Sequence, residues 1–278
     1  MNRHTRWPDK HVFLFSLVAV LVSTRPAVAQ EDSLRSTQGS LLAADLRTGI
    51  RDAGVLLASP QHFSQSQWLA ATAAVGGTAA LFIVDDPIRS FAGRNHSKAG
   101  DLLFGIGRQY GDATYAISFS GMLYLGGLIF KDEDVRETGL TLCESLAFAG
   151  LVTSVVKSVV GRSRPYAEEG AFKYRGFQFK AATTALPSGH STVAFALSSV
   201  LASRLRKSSW STVLYSLATL TALSRVYHGD HWMSDSFLGS AIGLSVGLAV
   251  TNLHDEQKPQ TELRVVPTLG GLRAELRF

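Results

Sequence analysis

Cysteine, charge and basic patches are all scarce in this chain. Its 278 residues include one cysteine, Cys143, set in an apolar run. No intrachain disulfide can form, so an exported chain of this kind must draw its stability from packing. Charged residues make up only 18% of the sequence. His228, Asp230, His231 and Asp235 lie close together, but no cluster of carboxylates or cysteines elsewhere would complete a coordination shell around them. The sequence therefore predicts no metal and no cofactor. The formal charge is +5, and Arg3, Arg6, Lys10 and Arg25 against Asp9 account for +3 of it within residues 1–29. No polybasic or aromatic-interleaved patch remains, which excludes a nucleic-acid partner.

What the chain has is a leader, a series of apolar stretches and a tail of different character. Basic residues followed by an apolar run from Val12 to Val22, and then Ala27-Val28-Ala29, predict a signal peptide over 1–29. Residues 30–66 form an exported N-terminal segment with an amphipathic helix around Leu41 to Leu57, ended by Pro60. Six apolar stretches follow: Trp68 to Val84, Tyr115 to Phe130, Leu140 to Val160, Thr192 to Leu205, Val213 to Val226 and Phe237 to Val250. Their Ala, Gly and Ser content and near absence of charge predict close-packed helices embedded in a membrane. Glu144 and Lys157 must then face the bundle, because either would be costly against lipid. In the tail, Leu272, Ala274, Leu276 and Phe278 alternate with Arg273, Glu275 and Arg277, which predicts a short β-hairpin. The expected architecture is all-α: about six core helices over 67–252, with a tail at 253–278.

Three short runs carry the chemistry. Lys157 and Arg164-Pro165 stand seven apart, a spacing that would let both cations point at one anion from a helix. Pro187-Ser188-Gly189-His190 reads as a helix start: Ser188 is a good N-cap, Gly189 permits close backbone approach, and free N–H groups there suit an anion. His190 in that first turn is placed to act as a general acid. In the third run His231 and Asp235 are four apart, which on a helix would let the carboxylate orient the imidazole and make its other nitrogen more basic. Such a histidine can attack phosphorus. Arg225 is close enough in the chain to turn its planar fork toward the same phosphate.

As they stand, KSVVGRSRP, PSGH and SRVYHGDHWMSD resemble the signature of the type 2 phosphatidic acid phosphatase (PAP2) superfamily, which also includes bacterial acid phosphatases and vanadium haloperoxidases. The resemblance covers roughly residues 68–252 in organisation and is specific from 157 to 235. It implies that Lys157, Arg164, Ser188, Gly189 and Arg225 bind phosphate, that His190 is the acid, that His231 is the nucleophile and that Asp235 is its partner.

The expected reaction is metal-independent hydrolysis of a lipid-linked phosphomonoester or pyrophosphate through a phosphohistidine. Arg204, Arg206 and Lys207 lie on the side opposite the catalytic runs, and by the positive-inside tendency they put the site on the outer, periplasmic face. A soluble exported acid phosphatase is the first alternative, a vanadate-dependent haloperoxidase the second and a non-enzymatic membrane protein the third. Segment 166–186, with Tyr166, Phe172, Tyr174, Phe177 and Phe179 among basic residues, either clamps a headgroup or packs its aromatics inward.

Overall fold

The computed structural model describes the backbone of residues 34–257, 262–268 and 271–277 and the side chains of residues 41–257. The expected signal peptide lies outside the described residues.

Helix α1, Leu34–Ala58, passes into a short 3-10 turn at Ser59–His62 that contains Pro60. Next comes α2, Gln65–Phe82, which starts at a full capping box between Ser64 and Gln67. Asp85-Asp86-Pro87 follow its end and open a new helix, α3 (Asp85–Arg94), because two carboxylates favour the positive end of a helix dipole and proline is tolerated in a first turn. The stretch from Asp85 to Tyr110 is thus largely helical, with α4 at Lys98–Tyr110.

Two long helices follow, α5 (Ala113–Phe130) and α6 (Glu133–Val160). Lys131 closes α5 in the left-handed region at φ 57° and Asp132 caps α6, so the chain reverses in two residues. The remaining helices are α7 (Gly189–Leu205), α8 (Ser208–Tyr227) and α9 (Met233–Glu256). All six predicted apolar stretches are helical. At the end of the chain, β1 (Glu262–Thr268) and β2 (Gly271–Arg277) pair antiparallel with Leu263 opposite Leu276.

Helices α7 and α9 form the centre, with α6 and α8 beside them, α5 outside α6 and α4 against α8. Small residues bring the two central helices together. A Cβ added at Gly239 would stand 2.4 Å from the Ser188 carbonyl oxygen, and one at Gly243 would stand 2.2 Å from that of Thr192. Glycines at i and i+4 therefore let α9 lie directly on the backbone of α7, as in small-xxx-small helix pairs. Elsewhere Phe119 and Leu123 of α5, Leu142 and Leu146 of α6, and Leu197, Val200 and Leu201 of α7 fill one apolar core.

The outward faces are apolar too. Ile117, Leu125 and Ile129 on α5 and Leu151, Val155 and Val159 on α6 are all exposed. Three described helices (α5, α6 and α9) are long and apolar enough to cross a membrane, and α2 with α3 makes a fourth if that pair, bent by 62°, counts as one span. The chain is membrane-associated, with lipid the natural solvent for those faces.

Candidate active site

The C-terminal end of α6, the N-terminal end of α7 and the junction of α8 with α9 meet at one end of the bundle. Lys157 occupies the last turn of α6, and Gly161 ends that helix in the left-handed region at φ 60°. Only glycine fits here, because a Cβ would lie 2.7 Å from the Gly176 amide nitrogen. The chain then runs back beneath segment 166–185: Ser163 N–H donates to the Lys173 carbonyl, Arg164 N–H to that of Ala182 and Ala185 N–H to that of Arg162. Lys157 and Arg164 are therefore not two turns of one helix, since the helix ends between them. The reversal of the chain at Gly161 brings the two cations to one place instead.

Ser188 caps α7, accepting from the Ser191 backbone N–H and from its hydroxyl, while its own N–H donates to the Asp235 carbonyl at 2.9 Å. Gly189 borders Lys157, whose Cε would lie 3.9 Å from an added Cβ. His190 sits in the first turn of α7, and its carbonyl is overlain by Gly111 at the end of α4.

His231 lies in the α8–α9 connection, two residues before α9, and Asp235 lies in the first turn of α9. Their pairing is thus a helix-entry arrangement, which corrects the stacking on one helical face expected from sequence. Asp235 Oδ2 accepts the Trp232 N–H at 2.9 Å, as a capping carboxylate does, and faces His231 Nδ1 at 3.5 Å. His231 N–H and Asp230 N–H both donate to the Arg225 carbonyl, which folds the loop back onto the end of α8. His228 is tied locally, with Nδ1 2.7 Å from the Ser224 carbonyl oxygen.

Several donors here are buried without a partner. Arg225 gives Nη2 to Asp230 at 2.7 Å but leaves Nε and Nη1 unpaired, and Arg164 Nε is unpaired as well. Lys157 Nζ donates to the Thr184 and Ala185 carbonyls at 2.8 and 3.4 Å. Lys157, Arg164 and Arg225 all lie near enough for their charge to act on His231, whose pKa is held well below the usual histidine value, first by burial and then by those three cations. His190 is pushed down to about 4, chiefly by burial and next by Arg225. Both imidazoles are therefore neutral at pH 7. The site thus gathers buried cations, unpaired N–H donors and a helix start around His231, an arrangement chemically suited to a multiply charged oxyanion.

Two residues of this neighbourhood were missed in the sequence. Arg162 is wholly buried, donating to Asp235 Oδ1 and to the Ser234 hydroxyl at 2.7 Å, to Asp85 Oδ2 at 2.8 Å and to the Ala171 carbonyl. Its guanidinium also stacks over Phe82 at 4.5 Å. An arginine two places before Arg164 was its only signal, and nothing local singles out Asp85. The aromatics of segment 166–186 divide: Phe177 and Phe179 are exposed, at 77 and 85%, whereas Tyr174 and Tyr166 lie against the guanidinium groups of Arg162 and Arg164.

Residues 138–259 match the model of the PAP2 superfamily. The chain is 30% identical over 160 residues to a lipid A 1-phosphatase of Rhizobium etli, a match covering 52% of this chain and 65% of that protein, less than two thirds of its length. It is 26% identical over 172 residues to an undecaprenyl-diphosphatase of Bacillus subtilis, covering 62% of this chain and 83% of the relative. Its fold is shared with a transmembrane PAP2-type phosphatidylglycerolphosphate phosphatase from Bacillus subtilis, with a TM-score of 0.54, 19% identity and coverage of 68% of this chain and 98% of that one.

Proposed function

We propose, for a chain whose residues 138–259 match the model of the PAP2 superfamily, that it is a membrane phosphatase of that kind, hydrolysing a lipid-linked phosphomonoester or pyrophosphate through a phosphohistidine. The observation that carries this reading is the set of buried, unpaired donors on Arg164 and Arg225 beside His231. An unsatisfied buried donor costs about 1–3 kcal/mol, and a phosphate supplies the missing acceptors.

His231 Nδ1 faces Asp235, so Nε2 is the attacking atom. It forms the N–P bond as the P–O bond to the lipid breaks. His190 gives a proton to the departing oxygen, then takes one from the water that cleaves the N–P bond and releases inorganic phosphate. Lys157, Arg164 and Arg225, with Ser188 and the Gly189 amide at the start of α7, hold the equatorial oxygens, where charge gathers in the transition state.

The lipid part of the substrate is supported by the exposed apolar faces of α5 and α6, and by relatives named for lipid A 1-phosphate and undecaprenyl diphosphate. These faces also argue against a soluble acid phosphatase. Residues 67–252 are the phosphatase domain in this reading, preceded by a signal peptide and an exported segment and followed by the tail, with the site on the periplasmic side. Exposed Phe177 and Phe179 are suited to the headgroup region beside the site.

The test is phosphate release from undecaprenyl pyrophosphate, phosphatidic acid and p-nitrophenyl phosphate by detergent-solubilised protein in EDTA, with His231→Ala alongside. Chelator-resistant release that the variant abolishes is expected, with lipid substrates preferred. Release that survives the substitution would remove His231 from its role.

A further inference from the structure

A second group of buried polar side chains lies far from the phosphate site. Asp52 of α1, Glu144 of α6 and His254 of α9 converge, with one ligand atom from each within 4.8 Å of the others. Lys157 and Glu144 are thirteen residues apart on α6, and Asp235 and His254 nineteen apart on α9, so about 20 to 28 Å of helix separate the two sites.

The three side chains are fully or nearly fully buried, and two of their oxygens have no partner. Asp52 is 0% exposed; its Oδ1 accepts from Arg51 and, at 3.0 Å, from Gln257, while Oδ2 is unpaired and turned toward His254 Nε2 at 3.7 Å. Glu144 is 8% exposed; Oε2 lies 2.7 Å from His254 Nε2, and Oε1 is unpaired against Gly49, where an added Cβ would stand 3.2 Å away. Each buried carboxylate keeps one oxygen without a partner, and that of Asp52 is turned to the imidazole; the cluster is electrostatically incomplete, since Arg51 and Gln257 reach only Asp52 Oδ1.

We infer that Asp52, Glu144 and His254 form a structural site for a divalent transition-metal ion of the zinc type, which fastens α1 to the bundle. One imidazole and two carboxylates are a mixed nitrogen and oxygen set, which suits zinc better than magnesium or calcium, whose shells are all oxygen. Zinc bonds of about 2.0–2.2 Å hold their ligands about 3.3 Å apart. The Nε2 separations of 2.7 and 3.7 Å bracket that spacing, so small side-chain rotations suffice. The outer bonds of Asp52 Oδ1 would orient the ligand, as outer partners do in metal sites. On loading, His254 binds the ion through Nε2 as the neutral Nδ1–H tautomer: an imidazolium releases its Nε2 proton to solvent, a neutral ring loses the Nε2 proton and gains one at Nδ1, and water completes the shell.

The experiment uses untagged full-length protein in detergent, stripped with EDTA, desalted and titrated with zinc sulfate. Bound zinc is measured by mass spectrometry, its ligands by X-ray absorption and the fold by thermal unfolding. The expected result is about one zinc per chain, a shell with a single imidazole, and a rise in melting temperature on loading. Asp52→Asn and Glu144→Gln, both isosteric, should each lose the bound zinc and the zinc-dependent rise. Wild-type protein that retains no zinc, a shell with two or more imidazoles, or variants that bind zinc as the parent does would each overturn the assignment. None of these readouts depends on phosphatase activity, so the outcome is independent of the reading of the first site.

Discussion

Arg162 and Asp235 form a wholly buried ion pair at 2.7 Å, and the carboxylate that Arg162 grips by Oδ1 presents its other oxygen to His231. Arg162 also neutralises Asp85, so one guanidinium compensates two buried carboxylates from helices α3 and α9. It therefore ties the helix that carries Asp235 to the turn that follows Lys157.

Removing this arginine should damage the fold before it damages the chemistry. Arg162→Met leaves two buried carboxylates without a cation, a loss of about 3–5 kcal/mol for breaking such a pair. The expected outcome is a strong drop in melting temperature, or failure to purify as a monodisperse species. A variant that melts with the wild type would show that the pair contributes little.

Asp235→Asn should behave differently. The amide occupies the same volume and its oxygen can accept from Trp232 N–H, but its NH2 then meets the Arg162 guanidinium, so some stability is lost, and it no longer orients and charges the imidazole. We expect kcat to fall by about 10²–10⁴ with a much smaller change in KM. Equal losses in both would point to a structural role alone.

Acidity should help the reaction and harm the fold. His190 is neutral at pH 7, with its pKa near 4, so the proton for the leaving group arrives most readily with a monoanionic phosphate, whose second ionisation lies at about pH 6. Hence kcat/KM should fall as pH rises above about 6, giving a bell with an acidic optimum. A profile that is flat, or that rises to pH 8, would contradict the assignment of His190.

For stability the sign is opposite. Both histidines are depressed in the folded chain, so between about pH 6.5 and 4 the unfolded chain binds more protons, and by linkage stability rises with pH. Their contribution is complete above pH 6.5 and is lost as pH falls toward 4. Melting temperature measured across that window should decline on acidification, and less so in His190→Gln.

Close helix contact offers a test away from the site. Gly243→Leu places a side chain where even a Cβ would be 2.2 Å from the Thr192 carbonyl oxygen, so α7 and α9 must separate. A loss of at least about 1–3 kcal/mol is expected from overpacking, and with it activity, since Ser188 hangs from the Asp235 carbonyl. Gly121→Leu on α5, where nothing lies within 4 Å of an added Cβ, serves as the neutral comparison.

The inventory of the candidate site, its cations, its two histidines and its carboxylate, could be proposed from sequence because each residue type suits one chemical task. The helices were legible for a similar reason: long uncharged runs and Ser or Asp caps are local signals, and Ser188 caps α7 as its neighbours predict. Relations that run through space were not local. Lys157 and Arg164 share a site because Gly161 reverses the chain, and His231 meets Asp235 at a helix entry. Arg162 finds Asp85 seventy-seven positions away and Asp52 finds His254 across three helices, and no periodicity encodes either meeting. Sequence by itself determined which groups are available and which segments are helical, since both depend on neighbours along the chain. Tertiary structure alone decided which charges are buried against which, because Coulomb and desolvation energies depend on distance and burial rather than on spacing.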